Sequence, residues 1–392
     1  MLDEAEAMPA ADAGARTVPE QRPLLLFLVT EDWYFCSHRL PAARAARDAG
    51  FRVAVATRVA RHSSAIEAEG FELHPLPWVR RSLNPLAALR DVLAIARLYA
   101  RLKPDVVHHV AVKPAVLGGI AAVLAGVPGV VTTLAGRGLL LQREDGAGRL
   151  AGVLLRALLR AVGLGRRTQV IVQNRDDLAW LGRVPATLIR GSGVPLDRFV
   201  PLPLPPEGAP FILAQVSRML TIKGVDVLVE AVRRVRARGL DVRLILAGEP
   251  DRESHAAISA ATLESWAREP GIEWAGHVGD VRTVWARAHL AVLASRGGEG
   301  VPMCLLEAAA CGRPLLATDI PGSREVAQAG RNAILVPPAD ADALAGAVAA
   351  LAADRTRLET LAAASRAVVD PDFGAAAVAA ATVAVYRALL DR

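Results

Sequence analysis

Two carboxylates and two cations stand out for the chemistry they could share. Glu299 and Glu307 flank a glycine-rich turn in Ser295-Arg-Gly-Gly-Glu-Gly-Val-Pro-Met-Cys-Leu-Leu-Glu307, which leads from the apolar stretch Leu290 to Ala294 into a helix. Such a turn makes an anion site, because free backbone N–H groups and the helix dipole point at the same place. Pro302 suits the first helical position, where its missing N–H costs nothing. Glu299, on the loop, can reach past an anion toward the uncharged part of a ligand. Glu307 falls in an otherwise apolar helix, where an unpaired carboxylate is disfavoured. Arg218 ends the stretch Phe211 to Ser217, and Lys223-Gly224 immediately precedes the helical pattern Val225 to Arg238. A guanidinium and an ammonium converging there neutralise a diphosphate without a metal. A phosphate cradle flanked by two hydroxyl acceptors fits a nucleotide sugar. The plainer alternative leaves all four as solvated charges, and their coincidence weighs against it.

The first half has polar strand ends of its own. Glu31-Asp-Trp-Tyr-Phe-Cys-Ser-His38-Arg39 is too polar and aromatic for a mere connector. His108 and His109 end another apolar stretch and are followed by Lys113. Gly136-Arg137-Gly138 offers a backbone that a ligand can approach closely. No Asp-x-Asp stands at a suitable strand end, since Asp370-Pro-Asp372 reads as a turn and cap. A metal-independent reaction is therefore expected. The Gly-x-Ser-x-Gly elbow of serine hydrolases and a Gly-x-Gly-x-x-Gly turn at the first strand are both absent.

These residues need elements to hold them. Pro23 to Thr30 is a continuous apolar run, typical of a parallel strand covered on both faces. Further strands are predicted at 51–57, 71–75, 105–110, 129–134, 168–173 and 187–190. Helical patterns lie between most of them, including Ser37 to Ala49 and Pro85 to Leu102 with Asn84 as its cap. Val200-Pro-Leu-Pro-Leu-Pro-Pro-Glu-Gly-Ala-Pro210 follows, where repeated prolines exclude helix and central strand. Strands then resume at 211–216, 242–247, 272–274, 290–294, 314–318 and 333–336. This alternation predicts an α/β protein of two doubly wound, Rossmann-like domains facing a cleft. Its parts are a disordered tail (1–21), a first domain (22–200), a linker (201–210), a second domain (211–371) and a final helix (372–392).

The glutamate–seven residues–glutamate pattern closely resembles the signature of family 4 retaining glycosyltransferases. Val216-Ser-Arg218-Met-Leu-Thr-Ile-Lys223-Gly224 is similar to that family's donor-diphosphate pair, and Pro314 to Gly322 to the strand and turn after its signature helix. Ser37-His-Arg-Leu-Pro41, Asp105 to Pro114, Gln173 to Asp177 and Gly191 to Val194 resemble the branch that builds capsule, O-antigen and other surface polysaccharides. The resemblance implies the GT-B fold, with the last helix crossing back to the first domain. It places Glu307 on the ribose, Glu299 on the donor sugar, and the backbone of the segment Gly300, Val301, Pro302 and Met303, through its N–H groups other than at the proline, on the phosphates beside Arg218, Lys223 and Gly224. His277-Val278 would border the base. The first domain would hold the acceptor through Glu31, His38, Arg39, Lys113 and Arg137, with His108 or His109 near the reacting carbon. Many members carry His-x-His there, whereas this chain has His108-His109-Val110. The implied activity is retaining transfer from a nucleotide sugar, expected to be a UDP-sugar, to a polyprenyl-diphosphate-linked glycan, or to a soluble one, with no cofactor beyond that co-substrate. The rivals are a sugar-nucleotide epimerase of the same architecture and a non-catalytic nucleotide-sugar-binding subunit.

Bulk properties agree with that picture. The 392 residues suffice for two domains, and 53% hydrophobic content supports large cores, yet no apolar run approaches a membrane span. The net charge of +6 favours an anionic partner. Nucleic acid is disfavoured, because aromatic content is only 4% and no basic block carries interleaved aromatics. Residues 1–21 lack a basic start followed by an apolar block, so no secretory signal is expected. Cys36, Cys304 and Cys311 suggest neither a disulfide framework nor a zinc site, which fits the cytoplasm. Arg149, Arg156 and Arg160 share one helix face opposite Leu154, Leu155, Leu158 and Val162, and Arg90, Arg97 and Arg101 repeat the spacing. With Trp78-Val79-Arg80-Arg81 they form surfaces suited to peripheral contact with anionic lipid, or simply solvated faces.

Overall fold

The computed structural model describes residues 22–391 except 80–83, 139–140, 142–144, 208–209 and 252. The expected tail, the pair Arg80-Arg81 and part of the linker lie outside the described residues. The first sheet comprises β1 (Leu24–Glu31), β2 (Arg52–Arg58), β3 (Glu72–Pro75), β4 (Val106–Val110), β5 (Gly129–Leu134), β6 (Arg167–Val172) and β7 (Ala186–Leu188). The second comprises β8 (Phe211–Val216), β9 (Val242–Ala247), β10 (Ile272–Gly276), β11 (Leu290–Leu293), β12 (Leu315–Thr318) and β13 (Ala333–Val336). Their orders are β3-β2-β1-β4-β5-β6-β7 and β10-β9-β8-β11-β12-β13. Paired strands run parallel throughout. Both are doubly wound Rossmann-like sheets.

The central strands are apolar along their whole length because helices cover both faces. All six residues from Leu24 to Val29 are buried, as are Val106 to Val110. On one face of the first sheet lie the helices Leu40–Asp48 and Ala375–Leu390. The other face carries Pro85–Leu102, Val112–Ala125 and Gly146–Val162. Asn84 caps the first of these by accepting from the Leu86 N–H. The helix expected from Ser37 to Ala49 is two helices, Asp32–His38 and Leu40–Asp48, broken at Arg39 (φ −120, ψ −14). The first begins directly at the end of β1 and takes in most of the polar run Glu31 to Arg39.

The proline-rich segment does not swing freely. Arg313 is fully buried and donates to the carbonyls of Ala288, Leu202, Pro203 and Cys311. Burial pulls its pKa down to about 10. Arg366 donates to the carbonyls of Phe199, Leu196 and Ala310. Prolines leave these carbonyls without the regular partners of helix or sheet, and the guanidinium groups take that place. Residues 196–203 are thereby strapped to the second domain. The chain returns to the first domain near Gly374, where Val194 and Gly374 form a parallel bridge. Replacing Arg313 with Met strands several buried carbonyls at once, so it should destabilise the protein by about 3 kcal/mol, read as an earlier midpoint in chemical unfolding.

Candidate functional site

Strand order reverses between β1 and β4 in one sheet and between β8 and β11 in the other. Loops leaving such a pair turn to opposite faces and open a crevice beyond the C-terminal strand ends. In the second domain, the chain leaving β8 makes a tight turn, Thr221–Lys223, closed by Gly224 at φ +66. A Cβ at Gly224 would lie 1.8 Å from the Ala294 carbonyl oxygen, so only glycine lets this turn rest on the end of β11. That contact brings Lys223 to Glu299. The ammonium donates to both carboxylate oxygens, at 2.6 and 2.7 Å. The Ser295 hydroxyl donates to Glu299 Oε1 at 2.8 Å, and the Gln215 amide donates to the Lys223 carbonyl at 3.0 Å. Arg218 donates to Asp251 at 2.6 Å, and its guanidinium lies 5.7 Å from the centre of the Trp33 ring across the crevice. Lys223 and Glu299 thus meet directly, while Arg218 pairs with Asp251 and, like Lys223, lies near His38.

Glu307 occupies the helix Met303–Ala310, four residues after Met303 and on the same half-buried face. Burial pushes its carboxyl up to about 7, against the opposing field of Arg198. Two details of the expected phosphate cradle differ. Pro302 is the N-cap (φ −69, ψ 123), not the first helical residue, and without an N–H it offers an anion nothing. The Val301 N–H donates to Gln173 Oε1 of the first domain at 3.2 Å. A Cβ at Gly300 would fall 1.9 Å from that same oxygen. The turn is therefore docked against the first domain, and Gln173 is a contributor that no spacing rule singles out. His277 is exposed after β10 and Val278 packs on the apolar core, both two strands away from β8.

In the first domain the expected residues separate. His108 and His109 are completely buried and do not reach the crevice. Successive strand residues face opposite ways, so each histidine enters a different helix layer. His108 bonds Tyr386 Oη at 2.7 Å through Nδ1 and Thr133 Oγ1 at 2.6 Å through Nε2. His109 Nε2 lies 3.1 Å from the Tyr99 hydroxyl. Desolvation drives both pKa values down, that of His109 to about 3. They are core residues, which corrects the expectation of a histidine at the reacting carbon. Arg39 is likewise interior, at 3% exposure. Lys113 donates to the Val79 carbonyl and lies 5.6 Å from the centre of the Trp78 ring, and Arg137 pairs with Asp177 at 2.7 Å. Glu31 is buried against Arg58, which also reaches Glu253 of the second domain at 2.6 Å.

His38 keeps a place at the crevice. Its ring stacks on Tyr34 at 4.2 Å, and Nδ1 lies 2.6 Å from the Ser37 hydroxyl. Desolvation first, then the charges of Arg39, Lys223 and Arg218, lower its pKa to about 3. The imidazole is therefore neutral and close to the cation pair. Asp32 secures this helix by accepting from the N–H groups of Ala60, Arg61 and His62 at 2.7 to 2.9 Å. Burial alone would raise its pKa, but these bonds and that of Trp33 hold it below the ordinary carboxylate value.

A parallel two-sheet protein with a cationic crevice between its domains is the GT-B design of glycosyltransferases. Residues 210–354 match the family described as glycosyl transferases group 1, and residues 25–174 the one described as glycosyl transferase 4-like. Each match falls within one domain, and the chain has the GT-B fold. It is 30% identical over 214 residues to a putative colanic acid biosynthesis glycosyltransferase, WcaL, of Salmonella typhimurium, covering 51% of this chain and 52% of that protein. The chain thus spans about half the length of that relative. It is 22% identical to the N,N'-diacetylbacillosaminyl-diphospho-undecaprenol alpha-1,3-N-acetylgalactosaminyltransferase of Campylobacter jejuni, over 73% of this chain and 78% of the other. Among solved structures, Anabaena HepE in complex with UDP-glucose superimposes with a TM-score of 0.71 at 18% identity, covering 93% and 99% of the two chains.

The raised pKa of Glu307 makes a stability prediction. Below about 4.5 the carboxyl is protonated in folded and unfolded chains alike and contributes no difference. As pH rises toward about 7, the unfolded chain ionises first, so folding loses stability until the folded group also ionises. Glu307→Gln should match wild type in melting temperature near pH 4 and exceed it at pH 8, measured without ligand. Its nucleotide affinity should fall, because the amide is a weaker acceptor for paired hydroxyls.

Proposed function

We propose that the protein is a retaining glycosyltransferase that moves a sugar from a UDP-sugar to a lipid-linked glycan at the cytoplasmic face of a membrane, in the assembly of a surface polysaccharide. The observation that carries this reading is the convergence of Lys223, Glu299 and Arg218 at the switch-point crevice. A diphosphate seated there meets the ammonium and the guanidinium, and Glu299 receives hydroxyls of the attached sugar. As the bond from the anomeric carbon to the diphosphate breaks, negative charge grows on the leaving oxygen, where the two cations are already fixed. The acceptor hydroxyl attacks from the same face and gives its proton to that oxygen. The contribution of the protein is positioning and charge stabilisation. HepE crystallised with UDP-glucose and the diphospho-undecaprenol substrate in the name of the Campylobacter enzyme support the donor and acceptor classes.

Incubation with a panel of nucleotide sugars and polyprenyl-diphosphate glycans should give one transferred sugar, with the anomeric configuration of the donor by NMR. Inversion would refute the retaining mechanism, and isomerised nucleotide sugar without transfer would indicate an epimerase. Arg218→Ala and Lys223→Ala should each lower turnover about a hundred- to a thousandfold, the usual loss for a contact that strengthens in the transition state. With charge supplied by these side chains, transfer should persist in excess EDTA. Activity lost to the chelator and restored by magnesium or manganese would show that a metal holds the leaving group.

A further inference from the structure

Twelve large hydrophobic side chains stand exposed among the described residues, and eleven of them belong to the first domain. Nine lie on three neighbouring helices of one layer. Leu86, Leu89 and Leu93 follow helical spacing on Pro85–Leu102, with Leu86 77% exposed. Ile120, Val123 and Leu124 do so on Val112–Ala125, and Leu150, Val153 and Leu154 on Gly146–Val162. Each helix also has a separate buried stripe, such as Leu155, Leu159 and Val162, that packs on the sheet. A surface helix of a globular protein needs one apolar stripe, and these three have two. The expectation that Leu154 faces the core opposite the arginines is thus corrected, since Leu154 is 58% exposed.

The exposed charges within these three helices are all of one sign, with Asp145 just outside as a helix cap. Arg90, Arg97, Arg101, Arg149 and Arg160 are exposed on the same helices. The sole acidic residue on the three is Asp91, which is buried beside Lys113. Two expected anchors are otherwise engaged. Arg156 lies 4.7 Å from the centre of the Trp180 ring, and Trp78 is buried with its indole N–H on the Thr30 carbonyl. Helices that return between parallel strands begin at the C-terminal strand ends, so the leucines in the first half of Pro85–Leu102 and of Gly146–Val162 lie toward the crevice.

We infer that this three-helix face inserts into an anionic lipid surface, its leucines among acyl chains and its arginines on the headgroup phosphates. The inference rests on the lipid-linked acceptor proposed above and adds the surface that meets the lipid. Arginine complementarity to headgroups selects lipid over a second copy of the chain, whose matching face would carry the same charges. Docked this way, the mouth of the crevice opens beside the bilayer, where a lipid-linked hydroxyl arrives.

Sedimentation with phosphatidylcholine vesicles, with and without phosphatidylglycerol, tests it. Wild type should bind the anionic vesicles and be weakened by high salt. Combined Leu86→Ser, Leu124→Ser and Leu154→Ser should weaken binding at least tenfold at every salt concentration. Arg90→Gln, Arg97→Gln and Arg160→Gln together should remove most of the salt dependence. Single leucine variants serve if the triple variant unfolds, which circular dichroism and the thermal melting of the first domain report. The inference fails if wild type ignores anionic vesicles at low salt, or if the leucine variants bind as wild type does. It fails equally if wild type is a dimer that the serines split. Transfer to a detergent-dispersed acceptor separates the two readings: retained transfer without vesicle binding rejects the docking face alone, whereas vesicle binding without any transfer rejects the enzyme assignment alone.

Discussion

The ion pair of Lys223 and Glu299 joins two loops that are far apart in sequence and adjacent only because β8 and β11 are neighbours in the sheet. The pair demands a backbone approach that side chains would block. Gly224 lies on the Ala294 carbonyl, Gly248 on that of Ser217 and Gly322 on that of Gly300, each with room for no Cβ. Other side chains support this compact knot. Ser295 and Gln215 fix the carboxylate and the lysine backbone, while Asp251 holds Arg218 until a stronger anion competes. With each charge compensated by the other, the site avoids the cost of isolated charges near a low-dielectric interior.

The first domain meets this knot through a different device. Its first strand runs straight into a helix that Asp32 ties to residues 60–62, and that helix presents Trp33 and His38 to the cations. Neither side chain carries charge, so this helix adds little repulsion or attraction for an anion in the crevice. On the function proposed above, donor affinity falls to the second domain and this helix contributes shape.

Much of this was legible in the sequence, and the remainder was hidden for identifiable reasons. Continuous apolar runs marked the central strands because both faces of a parallel sheet are covered. Arg218, Lys223 and Glu299 could be read because each follows a strand end closely, and Glu307 because it is the one carboxylate in an otherwise apolar helix. His108 and His109 misled because their partners, Tyr386, Thr133 and Tyr99, come from elsewhere in the chain, and local polarity cannot reveal a distant hydroxyl. Arg313 acts on backbone groups of remote segments, which leaves no pattern at its own position, and Gln173, although it opens a stretch that carries the resemblance, shows nothing locally of its reach to Val301. Helical periodicity locates apolar residues by azimuth, but it cannot say that Leu154 and Leu155 divide between solvent and core.

The chain crosses between domains at two places that lie side by side, near Val194 and near Gly374, and these are hydrogen-bonded to each other. Beyond them residues 196–203 are strapped down, so a change in domain angle must be absorbed by a short stretch at one margin of the molecule. That margin adjoins β7, whereas the Arg58–Glu253 contact stands by β2 and β9, near the opposite margin. The arrangement is a lever with its fulcrum at one edge and its catch near the other. A given rotation moves the catch through a longer arc than it moves the Lys223 region between them. An ion pair at the end of the long arm therefore has more leverage on the domain angle than a contact of equal strength nearer the crossing, such as that of Val301 with Gln173.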